Sequence, residues 1–206
     1  MNRTIFFVMA LWVSGLCTIS TQAGSFDFKD PKGVNTISFS LDSPLEPLMG
    51  FAAGVSGILN FDPANPKELS GSLHVPAANL AVPNKRMQKI LHSEDWIDVE
   101  KYPTISFSVR EVLESEDIGS HTFSLKVRGA FRCKDVEREI TVPMRLTYLP
   151  DRASDRGARD HGDLLALRTM FTIQRTDYTI KPSSGFDKVA NDIRIQVAVI
   201  GYSQSL

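Results

Sequence analysis

Eight stretches of the chain carry an apolar residue at every second position, and this alternation constrains the fold more than any other feature. Side chains on a strand point to its two faces in turn, so a two-residue apolar period marks a sheet with one face buried. Ile37, Phe39 and Leu41 open the series; Val55, Gly57, Leu59 and Phe61 follow and stop at the turn signal Asp62-Pro63. Leu69, Gly71, Leu73 and Val75 come next, then Ile105, Phe107 and Val109, then Phe123, Leu125, Val127, Gly129 and Phe131. Ile140 to Leu146, Leu165 to Ile173, and Ile193 to Val199 complete it. Such runs between regular turns predict an all-β domain, an antiparallel barrel or a sandwich. An eight-stranded barrel is just wide enough inside for packed side chains or one small ligand. Alternation alone does not separate those two, because both use the same residues.

Two segments leave this rhythm. Between Asn84 and His92, Met87, Ile90 and Leu91 fall at i, i+3 and i+4, which predicts a short amphipathic helix. Ser93 is expected to cap a further turn carrying Trp96 and Ile97. From Asp151 to Asp163 the chain is dense in Asp and Arg of mixed sign, which predicts a mobile exposed loop. There is no internal repeat and no composition shift that would divide the chain further.

The first residues read as a leader. Arg3 supplies a positive start, Ile5 to Val13 an apolar run, and Thr21-Gln22-Ala23 a small-x-small cleavage site. The apolar run is short of the ~20 residues that span a bilayer. Cys17 follows Leu16 rather than a small residue, so ordinary cleavage near Ala23-Gly24 without a lipid anchor is expected. The expected organisation is a signal peptide over 1–23 and one domain over 24–206, in the periplasm or secreted. About 180 residues suffice for one substantial core. Cleavage removes one of the 23 Lys and Arg and none of the 24 Asp and Glu, leaving a slightly acidic chain with no basic cluster for nucleic acid. Cys17 leaves with the leader, so Cys133 has no partner within the chain and reads as a small hydrophobe packed in a strand.

The motifs of common catalytic chemistry are missing. There is no G-x-S-x-G elbow, H-E-x-x-H, C-x-x-C or phosphate-binding G-x-x-x-x-G-K-[ST]. His74, His92, His121 and His161 are scattered over different elements, without metal-ligand spacing. Asp151, Asp155, Asp160 and Asp163 do not form a calcium loop, since Ala153 takes the third position and Arg156 the place of the required glycine. Asp95, Asp98 and Glu100 read as solvated acids near a helix end. The reading is a protein that is not an enzyme and has no catalytic, metal or cofactor residues.

Four blocks in order resemble the YceI-like family of exported lipid-binding proteins. They are Gly57-Ile58-Leu59-Asn60-Phe61-Asp62-Pro63, Ser93 to Phe107 with its Asp95-Trp96-Ile97-Asp98 and Tyr102-Pro103, Val127-x-Gly129 with Val136 and Arg138 downstream, and Thr172 to Tyr178 with Arg175 and Asp177. The likeness runs from about Phe26 to Gly201. It implies a lipocalin-like eight-stranded antiparallel barrel with a short helical segment between strands. It also implies an elongated apolar interior holding one long-chain amphiphile, of polyisoprenoid, isoprenoid quinone or fatty-acyl type.

The strand residues expected to line that interior are Leu59, Phe61, Leu73, Val75, Ile105, Phe107, Phe123, Leu125 and Val127. The chain departs from the family pattern at Ala52 and Val55, where aromatic residues are usual, and at Ile90, where the helix usually carries His. Arg175 has two readings, a headgroup contact or an ion pair with Asp177 or a strand acid. Trp96 and Tyr102 are expected to close one barrel end. The resemblance also leaves room for a homodimer and for transient membrane contact. Beside the carrier stands an alternative: an envelope interaction protein whose barrel is filled with side chains.

Overall fold

The computed structural model describes residues 24–157 and 161–203, and the expected leader over 1–23 lies outside them. Among the described residues eleven strands and one α-helix occur in the order β1 (Gly24–Asp27), β2 (Thr36–Leu41), β3 (Leu48–Ala53), β4 (Ser56–Phe61), β5 (Ser70–Pro76), β6 (Leu80–Ala81), α1 (Lys85–His92), β7 (Thr104–Asp117), β8 (Thr122–Cys133), β9 (Val136–Leu149), β10 (Leu164–Gln174) and β11 (Asp192–Ser203). All pairings are antiparallel. β11 pairs with β10 on one side, and with both β2 and β1 on the other. In the same way β4 pairs with β1 while β3 pairs with β2. β1 and β2 are therefore two halves of one stave, and β3 and β4 two halves of the next. The ring closes as eight staves, β1/β2, β3/β4, β5, β7, β8, β9, β10 and β11, each beside its neighbour in sequence. Closure removes the exposed edges that an open sheet would present.

The first stave breaks because residues 28–35 loop outward, and specific polar groups hold the break. The Asn35 amide donates to the Phe28 and Ile200 carbonyls at 3.0 and 2.8 Å, and its oxygen accepts from the Ile200 N–H at 2.9 Å. One side chain thus supplies the ladder bonds that the missing strand residues would have made with β11. The Asp30 carboxylate accepts from the backbone N–H groups of Lys32, Val34 and Asn35 at 3.0, 3.0 and 3.1 Å.

Asp30 also holds Arg156 at 3.0 Å, with its own side chain 1% exposed. Arg156 in turn donates to the Tyr202 hydroxyl at 3.0 Å. Nearby, Ala153 is buried and Asp163 accepts from the Asp151 N–H and the Tyr148 hydroxyl at 2.8 and 2.6 Å. The described part of 151–163 is largely exposed, as composition predicted, yet it is fastened to the barrel through Ala153, Arg156 and Asp163. Composition counts charges but does not see that Arg156 has a buried partner more than a hundred residues away.

Burial acts to raise the Asp30 pKa, but the Lys32 and Val34 N–H groups and Arg156 outweigh it and hold the carboxyl below its ordinary value of 3.8. A depressed carboxyl contributes stability that is complete above 3.8 and disappears as pH falls through the lower folded value. Asp30→Asn is therefore expected to lose about 1–3 kcal/mol at neutral pH. In urea titrations the gap to the parent protein should persist down to pH 3.8 and close only below it. A gap that closes well above that pH would refute this account.

Two glycines let adjacent staves approach. Gly57 and Gly71 lie at φ +121 and +116, and a Cβ on either would strike the carbonyl oxygen of Ser72 or Ile58 on the facing strand. On β7 the register with β8 shifts between Val109 and Glu111 and again between Val112 and Glu114. These bulges re-aim the strand, so Val112 is buried although the inward series Ile105, Phe107, Val109 is odd-numbered.

The two ends of the barrel differ. At the end where β1 and β5 start and β4 and β7 finish, Phe26, Phe28, Phe61, Phe123, Leu146 and Leu165 are all buried. Phe61 and Phe123 meet edge to face with centroids 5.4 Å apart. At the opposite end lie α1, the turn carrying Trp96, and the β10–β11 connection.

Candidate functional site

Two adjoining apolar voids of about 80 and 100 Å³ run through the barrel from its middle toward α1. They share Ile37, Val75, Ile105, Phe131 and Ile195 as walls. Leu73, Phe107, Val142, Leu167 and Val55 line the middle void, and Phe39, Ala52, Leu80, Cys133, Ile173 and Ile193 the outer one. Small or slender side chains at Ala52 and Val55 face inward and help to leave this space open. Together the voids fall short of the ~300–1,000 Å³ of ordinary ligand pockets, so a long occupant must displace side chains.

The sequence-derived residues divide between the two ends. Leu73, Val75, Ile105 and Phe107 border the voids. Leu59, Phe61, Phe123, Leu125 and Val127 are buried but border neither; Phe61 and Phe123 form part of the filled end. Alternation identifies the inward face of a stave but not the depth at which the interior opens. Ala52, marked in the sequence only as a departure from the family pattern, sits on β3, and Leu80, missed there, on β6; neither strand shows alternation.

The helical lid follows from local chemistry. Asn84 caps α1, its side chain accepting from the N–H groups of Arg86 and Met87 at 2.9 and 3.1 Å. Gln88 accepts from the Val82 N–H at 2.8 Å and donates to the Leu80 carbonyl at 2.6 Å, tying α1 to β6. Leu91 then points into the barrel with Trp96 and Ile97. Ser93 departs from expectation: it stands at the helix C-terminus, its hydroxyl donating to the Ile90 carbonyl at 2.7 Å. The turn to Trp96 is built instead on its backbone carbonyl, which accepts from the Trp96 and Asp98 N–H groups at 3.0 and 2.9 Å. Trp96 closes this end, whereas Tyr102 is half-buried and borders neither void.

The interior is electrically quiet. Burial pushes the Cys133 thiol up to about 12, and the phenol of Tyr178, packed edge-on against Phe131, also to about 12. Both are neutral at physiological pH. Among the described residues no three His, Cys, Asp or Glu side chains gather as a metal would require.

Arg175 takes neither of the roles expected for it. Its side chain is 0% exposed and donates to five backbone carbonyls, those of Ile180, Lys181, Ser184, Val189 and Ala190. Asp177 instead faces Arg138 at 3.7 Å on the surface. The arginine is the hub of the β10–β11 connection.

An eight-stave barrel with an apolar interior and a helical lid matches known structures. BcnA of Burkholderia cenocepacia superposes with TM-score 0.63 at 19% identity, over 81% of this chain and 95% of that one. A YceI protein of Campylobacter jejuni gives 0.59 at 18% identity, over 73% and 82%. A polyisoprenoid-binding domain of Saccharophagus degradans gives 0.61 at 7% identity, over 89% and 100%. At these identities the likeness concerns the fold. No curated protein sequence matches the chain. The YceI-like domain profile, however, matches residues 30–200, nearly the whole of the described barrel, and the chain belongs to the YceI-like family.

Proposed function

We propose that the protein binds a long-chain amphiphile of polyisoprenoid, isoprenoid quinone or fatty-acyl type and stores or carries it without chemical change. The observation that supports this most directly is the pair of adjoining voids walled mainly by Leu, Ile, Val and Phe, with His74, Ser106 and Thr169 bordering the middle one and Trp96 and neutral Cys133 the outer one. Such a wall recognises hydrocarbon by excluding water rather than by directional bonds. Burial of roughly 400 Å² of apolar surface gains on the order of 10 kcal/mol, against association costs of about 4–15 kcal/mol. That balance favours long chains and rejects short ones. The polyisoprenoid-binding structural relative points the same way. The leader expected over 1–23 supports the same reading, since a membrane lipid outside the cytoplasm needs shielding from water.

The modest size of the voids favours one rival, an interaction protein whose barrel is filled by its own side chains. Native mass spectrometry of protein purified from its own host, followed by organic extraction, separates the two. The carrier reading expects a stoichiometric adduct that extracts as one long apolar chain. A bare protein mass that persists after incubation with host lipids supports the filled barrel.

A further inference from the structure

A third cavity, of about 90 Å³, lies outside the barrel between α1, the β2–β3 turn and Val189. Its floor is made by Leu41, Leu91 and Trp96, and the same three side chains form part of the wall of the outer barrel void. One layer of side chains therefore separates the outside groove from the apolar interior. At the opposite end the packed phenylalanines and the Asp30–Arg156 pair close the barrel.

The two sides of the lid are held unequally. The Trp96 turn is fastened to the β10–β11 connection, with Lys181 meeting Asp95 at 2.6 Å through its ammonium and donating its N–H to the Asp95 carbonyl at 2.7 Å. Lys134 adds a bond to the Glu94 carbonyl at 3.1 Å. By contrast, α1 and β6 form one unit that pairs with the sheet only through Phe51–Ala81 and Ala52–Leu80, and the C-terminus of α1 is hinged to the Trp96 turn by the Ile97 and Val99 N–H groups, which donate to the Leu91 and His92 carbonyls at 3.1 and 3.2 Å. Among the described residues no hydrogen bond or ion pair crosses the groove from α1 to the β2–β3 turn. Ile90, 43% exposed, and Met87 border it on the helix side, and Ser43, Glu46 and Leu48 on the side of the turn.

We infer that this groove is the mouth of the barrel, and that an apolar chain passes from it into the interior when the β6–α1 unit swings about its hinge at the Trp96 turn and Leu41 parts from Leu91 and Trp96. The inference rests on the amphiphile-binding reading for its purpose, but its geometry is testable without any bound lipid. Contacts of Leu41 with Leu91 and Trp96 are apolar and undirected, so they separate at smaller cost than a hydrogen-bonded seam. The strand ladder of the staves stays intact throughout.

Cys133 reports the motion, because it lies in the wall of the outer void and is 2% exposed. In a Cys17→Ser background the probe is decyl methanethiosulfonate, whose sulfenyl sulfur is attacked by the Cys133 thiolate. A mixed disulfide forms and methanesulfinate leaves. Leu91→Ala, which thins the partition, should be labelled at least tenfold faster than the parent. Ile90→Trp, at an exposed position that tolerates bulk, should fill the groove and slow labelling severalfold. Leu164→Ala, which loosens the far end, serves as the control for general destabilisation and should label at the parental rate. Parental rates in Ile90→Trp, or equal acceleration by Leu164→Ala and Leu91→Ala, would overturn the inference. Labelling that follows these expectations in a protein that never yields a lipid adduct would keep the mouth and remove the carrier reading.

Discussion

Arg175→Met is expected to unfold roughly 10 °C below the parent protein, the largest stability loss foreseen for any single polar side chain in this barrel. All five N–H donors of the guanidinium are used, at 3.1 Å to Ala190, 3.0 Å to Ile180, 2.8 Å to Ser184 and 3.1 Å to Val189, with the fifth on Lys181. Methionine fills similar volume but leaves five carbonyls without donors inside the protein. Removing one side of a buried charged network costs about 3–5 kcal/mol, and a domain of this size loses about 2–4 °C per kcal/mol. The connection is also held in an unfavourable shape, with Thr179 and Lys181 at φ +54 and +43. A β-branched residue persists in the left-handed region only where surrounding bonds over-determine it. Lysine should not rescue, because three donors cannot reach five acceptors in the fixed fork of a guanidinium. Asp177→Ala, which removes only the exposed partner of Arg138, should change stability by less than about 1 kcal/mol. Differential scanning fluorimetry of the three variants decides the matter. Equal melting temperatures for Arg175→Met and Asp177→Ala would return Arg175 to a surface role.

The contrast between those two residues marks what the sequence could show. Arg and Asp two positions apart in Thr172 to Tyr178 invite an ion pair, and nothing local reveals that the loop returns five carbonyls to the arginine. Staves with one wet face were legible: β5 and β7 to β11 each announced themselves by alternation. β3 did not, since Met49 and Phe51 are apolar and exposed on its outer face while Gly50 and Ala52 face inward. β1 and β6, of four and two residues, are too short to show a period. The count of eight nevertheless agrees with the ring, because each broken stave contributed one alternating half. The helix was legible to within a residue because Asn84, an N-cap, coincides with the start of the 3.6-residue pattern. Depth along the barrel was not legible, for Phe61 and Ile105 are equally apolar and equally inward. Only the meeting of Phe61 with Phe123 tells the plugged end from the hollow one.

That difference in depth decides where a blocking substitution belongs, and Ala52→Phe is expected to abolish lipid retention while leaving the barrel folded. Ala52 is 2% exposed and borders the outer void of about 100 Å³. A phenyl ring there grows into existing space, so the overpacking strain of about 1–3 kcal/mol that attends a full core is partly avoided. Val55→Phe should do the same in the middle void, which it borders. The same enlargement at Leu59 or Phe123 has a different result. Both lie outside the voids, so Leu59→Trp or Phe123→Trp should break the core and the fold before it blocks anything. Native mass spectrometry supplies the lipid occupancy and circular dichroism the fold. The expected pattern is a folded Ala52→Phe with lipid content at least tenfold below the parent, beside a destabilised Leu59→Trp. A full lipid load in folded Ala52→Phe would place the amphiphile outside the barrel's outer void. In that event the apolar interior would be a core and the groove beside α1 the remaining place for a chain to bind.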